Sequence, residues 1–468
     1  MTIAFNLMTS ASKPMARYAL SGLCVAAMLG TAAPAAAQGL PLIRDTEIEN
    51  LLADYSKPIF RTAGLGTGRI KVRIVQNDAF NAFVLDGRNV FVHTGTLMQA
   101  ETPNEVIGII AHETGHISGG HMAALRARIA KDQTRALLTQ ILGIGLMVAG
   151  GVAGGGTANE LGSAGQGIMY GGNEIVMRSL LAERRQQESA ADQAGLSFLN
   201  ATKQSGHGML VTFERFAQQE YISDAHKVAF ARSHPLSTDR LARLRTLAEA
   251  SPYFGAKDPA QLQLRHDLMR AKLSGYLERP QIVYNRYPVT DNSLPARYAR
   301  AIARFFQGGP GGLEGALAEM DGLLQARPDY PYFWEVKGDI LMRSGKMREA
   351  IPSLRQALKL EPDATLISVQ LASALQSLDT SAATNESVAL LRKSLVDDEN
   401  SRAYRLLATG YYKQGKRPEA DAMIAQAYFL EGDLKQAQLF AKRAQTKLHS
   451  GSPEWLKNDD IINFKPQT

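Results

Sequence analysis

The chain is almost without cysteine: Cys24 is the only one among 468 residues. It lies in a leader-like stretch, so the remainder has no thiol, which excludes a disulfide framework and any thiolate metal site. A metal ion would have to be held by His, Asp or Glu. There is also no concentrated basic run. The net charge of +7 falls to about +5 once Lys13 and Arg17 of the leader are set aside. That argues against nucleic-acid binding, though it suits weak peripheral contact with anionic membrane surfaces. Acidic residues are missing altogether before Asp45. Long apolar runs are missing too: Tyr18 to Gly30 is shorter than the roughly 20 residues of a spanning helix.

That first stretch reads as a secretory signal over residues 1–37. Lys13 and Arg17 start it, Tyr18 to Gly30 forms an apolar core, and Ala35-Ala36-Ala37 precedes Gln38 as a cleavage site. Leu23 is too bulky for the position before a lipoprotein cysteine. The rest has the composition of a folded protein, 45% hydrophobic and 21% charged, and enough length for two or three domains. The fold class predicted is α+β and mainly helical: a peptidase domain over 38–255, a linker or degenerate first repeat over 256–295, a helical-repeat solenoid over 296–450 and a tail over 451–468.

Ile70 to Val75 alternates apolar and cationic residues as a half-exposed strand does. Ala82 to Leu85 and Val90 to Val92 read as two strands around the turn at Asp86-Gly87. Thr102-Pro103-Asn104-Glu105 is a helix start, with Thr102 as cap and Glu105 reaching back. Residues 136–172 run from an apolar stretch into crowded glycines, which suggests either a greasy lid near the site, over 143–172, or an amphipathic helix followed by a loop.

Further on, Pro328 and Pro362 stand 34 residues apart, the period of tetratricopeptide helical hairpins. Trp334, Gly338, Leu341, Gly345, Ala350, Leu354 and Ala357 fall at that pattern's positions. Tyr404, Leu407, Ala408, Tyr411, Gly415, Ala420 and Ala427 repeat the order. Small residues let two helices approach and large ones fill between them, so stacked pairs make a solenoid. Pro252, Pro259, Pro280 and Pro288 mark the linker, although 260–287 also reads as a degenerate hairpin.

The chemistry is carried by His112-Glu113-Thr114-Gly115-His116. On a helix, histidines four apart share one face and can bind one zinc ion, while Glu113 beside them can handle a proton. A pair of helix-surface histidines is the plain alternative. With cysteine excluded, the third ligand is best sought at Glu188, whose neighbour Asp192 lies four residues on and could fix a ligand histidine through its second nitrogen. The alternative for both is a solvated helix face. His121, a third histidine on this segment, is read as structural.

His112-Glu113-Thr114-Gly115-His116 together with Glu188-Ser189-Ala190-Ala191-Asp192 resembles the gluzincin metallopeptidases that include HtpX and the CAAX prenyl proteases. Asn81-Ala82-Phe83 and Ser233-His234-Pro235 followed by Arg240 are similar to that family as well. The resemblance implies a zincin-type domain with one Zn2+ per chain, ligands His112, His116 and Glu188, and Glu113 as catalytic base. It implies that Asn81, Ala82, Phe83, Val84 and Leu85 form an edge strand that binds substrate. His234 would approach the zinc as a fourth ligand and hold the enzyme latent. Arg240 would stabilise the developing oxyanion or anchor its loop.

With the leader and the repeats, the resemblance implies a periplasmic, outer-membrane-associated endopeptidase. Its substrates would be unfolded or misassembled outer-membrane proteins, and the repeats would contact the outer-membrane assembly machinery. The competing readings are a chaperone or assembly adaptor with a silent zinc site, and a zinc-stabilised structural domain. The second has no use for Glu113.

Overall fold

A computed structural model describes residues 40–66, 68, 70–128, 131, 182–222, 234 and 237–466. The leader at 1–37 and the glycine-rich segment at 136–172 lie outside the described residues. From Leu42 onward the chain forms one compact unit. No helix among the described residues is long and apolar enough to cross a membrane.

Among the described residues four strands make the sheet: β1 (Leu42–Ile43), β2 (Lys71–Val75), β3 (Ala82–Val84) and β4 (Asn89–His93), in the order β1-β2-β4-β3. β2 and β4 are parallel, and the two outer strands are antiparallel to their neighbours. Among the described residues β3 is therefore an edge. The His93 N–H donates to the Asn81 carbonyl at 3.0 Å, which sets the ladder. By the alternation of an antiparallel pair, Phe83 turns its backbone groups to β4, and Ala82 and Val84 turn theirs to the open side.

Helix α1 (Thr46–Thr62) covers the sheet with Ile48, Leu51, Leu52, Tyr55 and Ile59, all buried. The short α2 (Thr94–Gln99) leads to α3 (Pro103–Ser118), which carries the histidine motif. The capping box at its start is formed in full: Thr102 accepts from the Glu105 N–H, and the Glu105 side chain accepts from the Thr102 N–H. Such a cap contributes about 1 kcal/mol and fixes where the helix begins, hence where its histidines point. Residues 182–201 are helical (α4), followed by α5 (His207–Ile222) and α6 (Thr238–Glu249).

From Ala260 the chain is all helix. α7 (Ala260–Leu277), α8 (Pro280–Arg286), α9 (Leu294–Gln307), α10 (Gly312–Ala326), α11 (Pro331–Arg343), α12 (Met347–Leu360), α13 (Thr365–Gln376) and α14 (Ser381–Asp397) come first. α15 (Ser401–Lys413), α16 (Arg417–Leu430), α17 (Leu434–Gln445) and α18 (Pro453–Asn463) complete it. Successive helices pack on one another. Gly338 faces the Leu354 side chain, where a Cβ would come within 2.7 Å, so the glycine of the repeat pattern lies at a close crossing of its hairpin. Pro259 caps α7 and Pro280 begins α8. Read as linker punctuation in the sequence, both stand at helix starts, where a missing N–H costs nothing.

The repeats and the sheet-bearing part are joined by a buried ion cluster. Lys272 Nζ of α7 lies 2.7 Å from Asp45, 3.3 Å from Glu47 and 2.9 Å from Glu335 of α11. Tyr298 and Tyr330 donate to Glu47 at 3.1 and 2.6 Å. Arg44 adds a contact to Asp398 at 2.9 Å.

Candidate metal centre

α3 and α4 cross at small residues. A Cβ on Gly115 would stand 2.7 Å from the Ala191 carbonyl oxygen, and one on Gly195 would stand 3.1 Å from the His112 nitrogen. This close approach brings Glu188 and Asp192, one turn apart on α4, against the histidines of α3. It explains why small residues flank the acidic pair.

His112, His116, Glu188 and His234 offer one donor atom each, all within 4.8 Å of one another, and all four residues are buried. His112 Nε2 lies 3.2 Å from both His116 Nε2 and His234 Nδ1. Glu188 lies 3.4 Å from His112, 3.5 Å from His116 and 3.0 Å from His234. One tetrahedral ion with bonds of about 2.0–2.2 Å sets its ligand atoms roughly 3.3–3.6 Å apart. The donor set therefore fits a single metal ion of the kind that imidazole and carboxylate hold.

The donor residues are braced from behind. His112 Nδ1 lies 2.9 Å from Asp192 Oδ1. Arg240 of α6 grips Asp192 with two bonds of 2.6 and 2.8 Å, and its third nitrogen lies 3.1 Å from Glu188. Among the described residues the fork thus meets two carboxylates, in the geometry of an ion pair. Phe213 of α5 sets its ring edge-on to His112, 5.5 Å between centroids, and lies under the Arg240 guanidinium. Nothing in the sequence singled out Phe213, because an aromatic residue on an amphipathic helix does not declare what it covers. Nor did sequence spacing reveal that His121 reaches back to His116, with 2.9 Å between their Nδ1 atoms.

The electrostatics follow from burial and these pairs. Burial works against charge on His112, but Asp192 and Glu188 outweigh it and raise its pKa to about 9. Burial lowers His116 and His121. Burial opposes ionisation of Glu188, yet the neighbouring His234 and the hydrogen bonds from His112, His116 and His234 hold it far below the usual carboxylate range. Asp192 is likewise held down, against burial, by Arg240 and His112. Both carboxylates are anionic, as a cation site requires.

Glu113 is fully buried beside the cluster, and neither of its oxygens has a hydrogen-bond partner among the described residues. Its Oε1 lies 3.3 Å from His234 Nε2. His234 thus faces the cluster with one nitrogen and Glu113 with the other. Of the predicted substrate segment, Ala82 to Val84 form the edge strand packed on α3. Asn81 is tied by its backbone to Thr96, and the Leu85 carbonyl accepts from Arg126.

The family described as Peptidase family M48 matches residues 43–248, and a tetratricopeptide repeat matches residues 331–364. The beta-barrel assembly-enhancing protease of Escherichia coli (strain K12) is 25% identical over 455 residues, spanning 92% of this chain and 86% of its own length. Its namesake in Yersinia pestis is 24% identical over 433 residues, spanning 90% and 84%. The metalloprotease LoiP of Escherichia coli (strain K12) is 29% identical over 165 residues, 35% of this chain and 57% of its own length. These matches make the chain a metalloprotease whose residues 43–248 are similar to peptidase family M48 and which carries tetratricopeptide repeats behind that stretch.

Proposed function

We propose that this metalloprotease is a zinc-dependent endopeptidase of the periplasm, acting in the quality control and assembly of outer-membrane β-barrel proteins. The observation that carries the peptidase chemistry is the four-donor cluster with the Glu113 carboxylate buried against it. The β-barrel role draws on likeness to the assembly-enhancing proteases along nearly the whole chain, repeats included. The predicted leader supports the compartment.

His112, His116 and Glu188 would hold the ion. Bound there, zinc supplies Lewis-acid polarisation of the scissile carbonyl and acidifies water. Glu113 takes the proton from the attacking water and delivers it to the amide nitrogen as the C–N bond breaks. A carboxylate buried against the donor cluster is placed for both transfers. Asp192, held in turn by Arg240, keeps His112 in the tautomer that presents Nε2. An extended substrate chain would add to β3 through the open backbone groups of Ala82 and Val84, which gives register without demanding a particular sequence.

His234 makes this form a latent one: it takes the fourth donor position with Nδ1 and faces the base with Nε2. Activity requires that it swing away. The test is cleavage of an unfolded β-barrel protein by the chain lacking residues 1–37, run beside Glu113→Gln and His234→Ala. Cleavage lost in Glu113→Gln with zinc retained, and faster in His234→Ala, is the expected result. If no variant cuts while zinc is bound, the adaptor reading replaces this one for that substrate.

A further inference from the structure

We infer that His121 is a positioning residue for the metal centre, accepting a hydrogen bond from His116 and thereby fixing the face His116 presents to the ion. Two glycines follow the end of α3. Gly119 continues the helical conformation and Gly120 takes φ +65°, a reversal that a side chain resists. The reversal folds the next residue, His121, back over the last turn. Its ring crosses Gly119 so closely that a Cβ there would stand 2.4 Å from His121 Nε2. The two imidazoles meet edge to face, 5.0 Å between centroids, with Nδ1 facing Nδ1 at 2.9 Å.

Two facing imidazole nitrogens make a hydrogen bond only if one carries a proton and the other a lone pair. His116 turns Nε2 into the donor cluster, 3.2 Å from His112 Nε2, so that nitrogen must keep its lone pair for the ion. Its proton then sits on Nδ1, and His121 Nδ1 is the acceptor. His121 thus does for His116 what Asp192 does for His112, with a neutral ring in place of a carboxylate. The difference matters for charge: a second carboxylate would add another anion to a cluster that already contains Glu113, Glu188 and Asp192. The imidazole orients its neighbour without adding one.

This rests on the proposed zinc site. The experiment measures the zinc dissociation constant by chelator competition for the chain lacking residues 1–37 and for His121→Phe, His121→Asn and Gly119→Ala. Phe keeps the ring without an acceptor, Asn keeps an acceptor near Nδ1, and Ala at Gly119 displaces an intact His121. Loss of such a partner typically weakens metal binding about 10- to 100-fold. That loss is expected for His121→Phe and Gly119→Ala, with His121→Asn within about threefold of the parent. Nitrogen-15 NMR of the zinc-loaded parent should also show His116 protonated at Nδ1 in a hydrogen bond. Equal affinity in the parent and His121→Phe, equal losses in the Phe and Asn variants, or an His116 Nδ1 proton in free exchange with water would each overturn the inference. The NMR result decides it should His121→Phe not fold. A parent that binds no zinc would instead count against the metal site itself.

Discussion

Replacing Glu335 by Gln should change how stability depends on pH, and the direction follows from the cluster around Lys272. One ammonium there serves three carboxylates, Asp45, Glu47 and Glu335, at 2.7 to 3.3 Å. Burial, together with the charges of Asp45 and Glu47, outweighs the pull of Lys272 and raises Glu335 from 4.5 to about 7. A carboxyl group whose pKa is raised on folding keeps its proton in the native state where the unfolded chain has lost it. Its contribution is therefore complete below the unfolded pKa of 4.5 and is lost as pH rises towards 7. The slope is about 1.4 kcal/mol per pH unit, so the window is worth ~3 kcal/mol at most, less if Glu47 shares the proton. Glutamine carries no titrating proton and lacks this slope. Urea midpoints of both proteins from pH 4.5 to 7.5 provide the assay, because their difference cancels the titrations not coupled to Glu335. Parent stability should fall relative to Glu335→Gln by roughly 1–3 kcal/mol across that range. Curves that stay parallel would show that the cluster holds no shared proton, and the reasoning would fail.

Two further substitutions test the metal centre from outside its ligands. Asp192→Asn removes the carboxylate that holds His112 and meets Arg240, and should weaken zinc binding about 10- to 100-fold by chelator competition; unchanged affinity would mean that His112 needs no such support. Gly115→Ala places a methyl 2.7 Å from the Ala191 carbonyl and should force α3 from α4. A loss of about 1–3 kcal/mol in stability together with weaker zinc binding is expected, and a variant equal to the parent in both would refute the close-crossing account.

Much of the site was legible because its signals are local. Thr102, Pro103 and Glu105 specify a helix start by contacts within one turn, and the four-residue spacings of His112/His116 and Glu188/Asp192 declare one face of a helix each. The strands around Asp86-Gly87 announced themselves by turn chemistry. What stayed hidden depends on placement across the chain. Phe213 covers His112 only because α5 packs behind α3. His121 returns to His116 through a glycine reversal whose outcome is set by packing. Lys272 meets Asp45 across 227 positions, and no periodicity encodes such a meeting. Pro259 and Pro280 looked like linker residues because proline breaks a helix interior, yet the same ring favours a helix's beginning.

The shared ammonium of Lys272 also bears on how this chain can be cut. Asp45 and Glu47 open the first helix of the peptidase, but the groups that neutralise and hydrogen-bond them are Lys272, Tyr298 and Tyr330. A peptidase fragment ended before α7 would leave those acids facing one another without their cation, at the N-terminus of the helix that covers the sheet. Its failure to cleave would then report a broken scaffold and say nothing about what the repeats recruit. The seam in the sequence is not a seam in the molecule, and the two halves are physically one inheritance: a change at α7 is also a change to the enzyme.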